Sequence, residues 1–349
     1  MPQKIKAVDF FCSGGGMTCG LTQAGIDVVA GIDNDPACEE TYTKNNPNSK
    51  FILADVFDLK EIELEKKLNL KKNDKNLILI GCSPCQYWSI IQTDKTKSKK
   101  SKNLLTEFKR FVDYFNPGYV LVENVPGILA KKEQSGLNSF ISDLEARGYS
   151  VDFKIVNMND YGVPQSRKRF SLIANQVIGQ SIFPKPSKNK RPTVADFIGK
   201  KNGFNKVAVG FKDNTVFNHT VAGLTKKNIL RLERTPKNGG SWLNWAEDKE
   251  LKRKSYQGNG FIDNYGRMSW EKPAPTITTK FFSISNGRFA HPEENRAISI
   301  REGATLQTFP KTYIFYSKSM VDTARMIGNA VPPAFACRLG EAIIKSKHE

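Results

Sequence analysis

The run Leu77-Ile78-Leu79-Ile80, stopped by Gly81-Cys82-Ser83-Pro84-Cys85-Gln86, constrains this chain more than any other stretch. Large aliphatic residues with no polar alternation predict a strand buried on both faces, as in a parallel sheet covered by helices. Periodicity alone does not separate such a run from a helix, but its shortness and the Gly stop favour a strand. The Gly, Cys and Pro that follow are turn chemistry. A reactive group there sits where open α/β sheets bind ligands, at the carboxyl end of a central strand. Pro84 fixes its own φ just before Cys85. The residues leave three readings of Cys85: a nucleophilic thiol, a small buried cysteine, or half of a Cys82-x-x-Cys85 redox pair.

The rest of the chain repeats the pattern. Ile5 to Phe11, Ile26 to Ile32 and Phe51 to Ala54 read as strands, separated by helices through Leu21–Ala24 and Cys38–Tyr42. Helices are predicted over 57–70, 104–115 and 136–148, with strands at 119–122, 151–156 and 170–174. This alternation predicts an α/β, doubly wound, mostly parallel sheet of the Rossmann-like kind. The first strand runs into Cys12-Ser13-Gly14-Gly15-Gly16, where glycines let backbone approach a ligand at a helix N-terminus. The spacing is not G-x-G-x-x-G, so the dinucleotide fingerprint is not met. Asp33, 19 residues after Gly14, ends the second strand, where an acid can bond ribose hydroxyls. Asp55 ends the third. Each alone reads as readily as a helix cap, but three such features fall at successive strand ends.

The 349 residues carry a net charge of +18, which predicts a polyanionic partner, nucleic acid before membrane. No apolar run reaches 18 residues, and the N-terminus has no signal-like stretch, so a cytoplasmic protein is expected. Six cysteines in a chain this long do not make a disulfide framework, and three histidines leave little for a metal site; none is expected. Lys97, Lys99, Lys100 and Lys102 lie in an aperiodic basic loop after Cys85, suited to phosphate contact or simply to solvent. From Ser181 the texture becomes rich in Pro, Lys, Gly and Asn. The expected division is a catalytic and cofactor domain at 1–180, a smaller loop-rich domain at 181–292, and a segment 293–349 returning to the first domain. In the small domain Lys226, Lys227, Arg231 and Arg234 are helix-spaced and basic. In Arg167-Lys168-Arg169, period two would put both arginines on one face.

Together these segments resemble the cytosine-C5 DNA methyltransferase family, bacterial restriction–modification type. Asp9-Phe10-Phe11-Cys12-Ser13-Gly14-Gly15-Gly16 resembles its first S-adenosylmethionine motif. Pro84-Cys85-Gln86, Glu123-Asn124-Val125, Gln165-x-Arg167-x-Arg169, Leu306-Gln307-x-Phe309-Pro310 and Gly328-Asn329-Ala330-Val331-Pro332 follow in family order. Two departures stand out: Cys-Ser-Gly where many members read Ala-Gly-Leu, and Lys102 where many carry an arginine. The latter would give a point charge in place of a bidentate fork.

The resemblance implies methyl transfer from S-adenosylmethionine to C5 of a cytosine flipped out of double-stranded DNA. Cys85 would add to C6, Glu123 would hold the N3 and amino edge, Arg169 would contact O2, and Arg167 would support the thiol or the backbone. It implies cofactor contacts at Phe11, Ser13, Gly14, Gly16, Asp33, Asn34, Asp55, Val56, Pro84, Asn329 and Ala330. DNA contacts are expected at Gln86, Ser89, the four loop lysines, Lys226, Arg231 and Arg234. The expected protein is a monomer at the prokaryotic nucleoid, with a cognate endonuclease as a genetic companion. A non-catalytic DNA-binding module, a thiol–disulfide oxidoreductase and an RNA methylase are the alternatives. Intact Cys85, Glu123 and both arginines weigh against the first. The strand and helix order near the N-terminus weighs against the second. About a hundred residues between the Arg motif and the closing motif weigh against the third.

Overall fold

The computed structural model describes residues 4–83, 103–131, 133, 135–251, 263–317 and 319–346. The chain divides into two compact units, 1–161 with 168–186 and 330–349, and 162–167 with 187–329.

The first unit is built on β1 (Lys6–Phe10), α1 (Gly16–Gln23), β2 (Asp27–Asp33), α2 (Glu39–Asn45), β3 (Lys50–Leu53), α3 (Glu61–Leu68) and β4 (Leu77–Gly81). It continues through α4 (Leu104–Phe115), β5 (Tyr119–Asn124), α5 (Gly127–Ala130), α6 (Leu137–Ala146) and β6 (Ser150–Asn157). After β7 (Gln165–Ser166), which belongs to the second unit, β8 (Lys168–Asn175) completes a seven-stranded sheet in the order β3-β2-β1-β4-β5-β8-β6. Strands β3 to β5 pair in parallel, while β8 runs antiparallel to both β5 and β6. The predicted doubly wound, mostly parallel sheet is present.

The chain winds outward from β1 to β3, then crosses back to place β4 on the other side of β1. That reversal makes a topological switch point between β1 and β4, and Phe10 lies opposite Gly81 at its carboxyl edge. All five residues of β4 are buried, as its unbroken aliphatic run predicts. A Cβ on Gly81 would meet the Phe108 ring at 2.6 Å, so the glycine that stops the run also admits α4. Buried Leu104, Leu105, Phe108, Phe111, Val112 and Phe115 recur at helical spacing along α4. Phe10 packs on Phe111 and Phe108, with centroids 4.8 and 5.4 Å apart. The helix predicted over 57–70 is shorter, because the turn after Asp55 uses residues 56–58.

The second unit holds β7, α7 (Val194–Phe197), α8 (Lys226–Arg234), β9 (Ala274–Pro275), α9 (Ile300–Leu306) and α10 (Met320–Asn329). Its apolar centre is Leu232, Trp242, Trp245, Leu251, Tyr265, Ile284, Ala290 and Ala297. The expected division at 292/293 is corrected here: residues 293–329 belong with the second unit, and only 330–349 pack in the first. Physically, α9 is tied into the second unit at its start: the Ile300 and Arg301 N–H groups donate to the carbonyls of Thr220 at 3.0 Å and Asn218 at 3.2 Å, and Ser299 Oγ lies 2.7 Å from His219 Nδ1. The returning helix α11 (Pro333–Ser346) packs on α1. A Cβ on Gly20 would lie 2.2 Å from the Pro333 carbonyl, so the two backbones can approach only because Gly20 has none.

Candidate active site

At the carboxyl edge of the switch point, Phe11, Ser13 and Gly15 take left-handed backbone angles, φ 63, 46 and 86°. These angles fold the loop between β1 and α1 back on itself. Asp33, at the end of β2, clamps it: Oδ2 accepts from the Ser13 N–H at 2.8 Å, and Oδ1 from Asp35 N–H at 2.9 Å. Burial raises the Asp33 pKa, opposed by those backbone bonds. One floor down, Asp9 is fully buried and accepts from the Thr18 hydroxyl at 2.8 Å; burial pushes its carboxyl up to about 7. Asn34 is exposed, and Gly14 and Gly16 are buried within the turn. At the end of β3, Asp55 accepts from Phe57 N–H at 3.1 Å. The loop carrying Asp55 and Val56 is held by Arg110 of α4, which bonds the carbonyls of Val56 and Leu59 and the carboxylate of Glu61. Nothing in the sequence marked Arg110.

One strand over from β4, Glu123 is buried near the end of β5 and pairs with Arg169 Nε at 3.3 Å. Next to it, Asn124 donates from Nδ2 to Ser83 Oγ at 3.2 Å and to the Ser83 carbonyl at 3.5 Å. Asn124 thus ties the end of β4 to the end of β5, immediately before the chain enters Pro84-Cys85. Pro84, Cys85, Gln86, Ser89, Lys97, Lys99, Lys100 and Lys102 lie outside the described residues. Cys82 is half-buried.

The sequence profile of the C-5 cytosine-specific DNA methylases matches residues 5–345. This chain belongs to that family. It is a DNA (cytosine-5)-methyltransferase. The Type II methylase M.HgiDII of Herpetosiphon aurantiacus is 38% identical over 344 residues, covering 97% of this chain and 94% of that protein. The Type II methyltransferase M1.HphI of Haemophilus parahaemolyticus is 29% identical over 343 residues, covering 98% and 87%. In fold, the chain resembles a prophage-encoded E. coli protein described as a DNA modification methyltransferase. The TM-score is 0.76, at 20% identity over 99% of this chain and 100% of that one.

In this methyltransferase the two arginines of the Gln-x-Arg-x-Arg motif do not share a strand face. β8 begins at Lys168, so Arg169 lies in the sheet of the first unit, while Arg167 belongs to the second. Arg167 is 2% exposed and donates to the carbonyls of Ile277 at 3.0 Å and Gly328 at 3.2 Å. Both of these contacts are to backbone. Gln165 braces the same unit, donating to Gln307 Oε1 at 2.7 Å and accepting from Ile277 N–H at 3.0 Å. Asn329 closes α10 in the second unit, and Ala330 opens the returning segment of the first.

The expected DNA contact at Arg231 is corrected. Its guanidinium is buried, donates twice to the Leu251 carbonyl at 3.0 and 2.8 Å, and lies over the rings of Trp245 and Tyr265. It closes the apolar centre instead of facing solvent. Lys226 and Arg234 are exposed on the same helix. Three more arginines of this unit, Arg267, Arg296 and Arg301, are at most 1% exposed and serve carbonyls and carboxylates inside it. A good part of the unit's positive charge is therefore structural.

Proposed function

We propose that the enzyme transfers the methyl group of S-adenosylmethionine to C5 of a cytosine flipped out of a specific duplex sequence, through an adduct between Cys85 and C6. The observation that carries this reading is the Glu123–Arg169 pair at 3.3 Å, beside the Asn124–Ser83 tether that feeds the chain into Cys85. A carboxyl and a guanidinium side by side fit one edge of a pyrimidine. Glu123 holds N3 and the amino group and delivers a proton to N3, and Arg169 donates to O2. That proton keeps negative charge off the ring as the thiolate bonds to C6. C5 would then take the methyl group as its bond to the sulfonium sulfur breaks, a base would take the C5 proton, and the C6–sulfur bond would break to return the thiolate as N3 gives its proton back to Glu123.

The first unit offers a donor set that fits the cofactor. Asp33 and Asp55 provide acceptors for hydroxyl and amino groups, the turn at Ser13, Gly14 and Gly16 opens toward the α1 N-terminus, and Phe11, Asn34 and Val56 complete it. When bound, the cofactor supplies an electrophilic methyl on sulfonium. Extrusion of the base costs a few kcal/mol, recovered by contacts in the site. DNA reading belongs to the second unit, with Lys226 and Arg234 on its exposed helix face. The names of the relatives favour a restriction–modification setting, and with it a cytoplasmic enzyme working as a monomer at the nucleoid. Bisulfite sequencing of DNA from cells expressing the chain tests the reading. One methylated sequence context is expected, and none with Glu123→Gln. Unmodified cytosine throughout, in cells that contain folded wild-type protein, overturns it.

A further inference from the structure

We propose that a cavity in the second unit, walled by Lys272 and Arg288, seats one phosphodiester of the bound DNA. The proposal rests on the reading that this unit contacts DNA, and assigns a contact that neither motif nor family profile names. The cavity measures about 360 Å3 and is lined by Ser166, Gly239, Met268, Ser269, Lys272 and Arg288, among others. That volume suits a sugar–phosphate link and excludes a duplex. Its rim is rigid. Asn238 receives the Trp270 N–H at 2.7 Å and donates to Glu271 at 3.0 Å. Gly239, at φ 107°, sits so close that a Cβ would meet Ser269 Oγ at 2.4 Å.

Arg288 is the fixed part of the site. Its Nε donates to Asp263 at 3.0 Å, and its Nη1 donates to the carbonyls of Gly239, Gly240 and Arg267 at 3.0–3.2 Å. Among the described residues Nη2 has no protein partner, and neither does the exposed Lys272 ammonium. Both charged side chains of the cavity's lining, Lys272 and Arg288, are cations, and the carboxylates of Asp263 and Glu271 are not part of that lining, so the charge presented to the cavity is positive and suits a phosphate. Guanine reading through an arginine fork uses two nitrogens aimed at O6 and N7. With Nε and Nη1 committed, Arg288 retains one, which suits a point contact to a phosphate oxygen. A guanidinium anchored in advance loses little side-chain freedom on binding.

The test is a methylphosphonate scan of a cognate duplex, with affinity measured against KCl concentration. Each position is measured with wild type, Lys272→Gln and Arg288→Gln, and with Lys67→Gln on α3 as a charge-matched control. For wild type, neutralising one phosphate should weaken binding, and with Lys272→Gln the loss at that position should vanish. Lys272→Gln should lower the log–log salt slope by about 0.9 on cognate and unrelated duplexes alike. Lys67→Gln should leave it unchanged. Lys272 is exposed, so its variant keeps the test open if Arg288→Gln unfolds. An unchanged slope with no coupled position overturns the proposal, as does a loss confined to one base pair at constant slope, which would mean base reading. If the cavity variants do nothing while Lys226→Gln or Arg234→Gln lowers the slope, only the cavity assignment fails. If none of the four does, the assignment of the second unit to DNA fails as well.

Discussion

Acid should destabilise this protein through His291. The ring is 3% exposed, and its Nδ1 accepts the backbone N–H groups of Glu293 at 3.2 Å and Glu294 at 3.1 Å. The proton therefore sits on Nε2, which faces Glu294 at 3.4 Å and Glu302 at 3.6 Å, carboxylates that Arg296 also binds. Burial lowers the pKa to about 4 despite the nearby Glu302 charge. In the unfolded chain the ring titrates near 6.5. Between those values the unfolded chain holds a proton that the folded one does not, so stability is intact above 6.5 and is lost as pH falls toward 4. At one pKa unit per 1.36 kcal/mol, the loss at pH 5.0 relative to pH 7.5 is about 2 kcal/mol. Glu302, held down at about 2 by Arg296 against its burial, stays ionised over that range and does not contribute. In His291→Asn the amide oxygen can receive the two N–H groups and nothing titrates. Urea unfolding followed by tryptophan fluorescence suits the measurement, because Trp270 stacks edge-on to His291 at 5.3 Å. Between pH 7.5 and 5.0, wild type should lose about 2 kcal/mol more than the variant. Equal losses would refute the burial argument.

Two further outcomes follow from particular contacts. Asn124→Ala removes the tether to Ser83; losing about 1–2 kcal/mol of anchoring should slow single-turnover methylation roughly tenfold, with DNA affinity little changed. An unaltered rate would show that the tether does not position the nucleophile loop. Gly20→Ala sets a methyl against the Pro333 carbonyl, a clash that backbone cannot relieve without parting α1 from α11. Urea titration should show a loss of about 1–3 kcal/mol or more, and an unchanged midpoint would contradict the close approach.

The sheet was legible because its strands are aliphatic runs that stop at Gly or Asp, and helix α4 because its apolar residues keep one face for three turns. The strand-end positions of Asp33 and Glu123 were legible because the aliphatic runs before them stop at a polar residue. Arg231 reads as a DNA-facing charge because a sequence shows that a residue is basic without showing what it faces. Its guanidinium goes to the Leu251 carbonyl and the Asn228 side chain, and the first of these only the tertiary fold brings near. The 292/293 boundary failed for a related reason. Composition changes at 181, but the bonds that keep α9 in the second unit, from the Ile300 and Arg301 N–H groups to the carbonyls of Thr220 and Asn218, depend on where the chain folds back. Asn124 stood inside a recognised motif, and its tie to Ser83 becomes visible only once β4 and β5 are neighbours.

The central claim, attack by Cys85 on cytosine, is tested most directly by trapping on DNA that carries 5-fluorocytosine in the methylated sequence. Fluorine leaves no removable proton at C5, so the thiol adduct cannot resolve after methyl transfer and survives denaturing electrophoresis. With S-adenosylmethionine present, wild type and folded Cys82→Ala should each give a covalent protein–DNA band, and folded Cys85→Ala should give none. A band from Cys85→Ala, or no band from folded Cys82→Ala, would contradict the account.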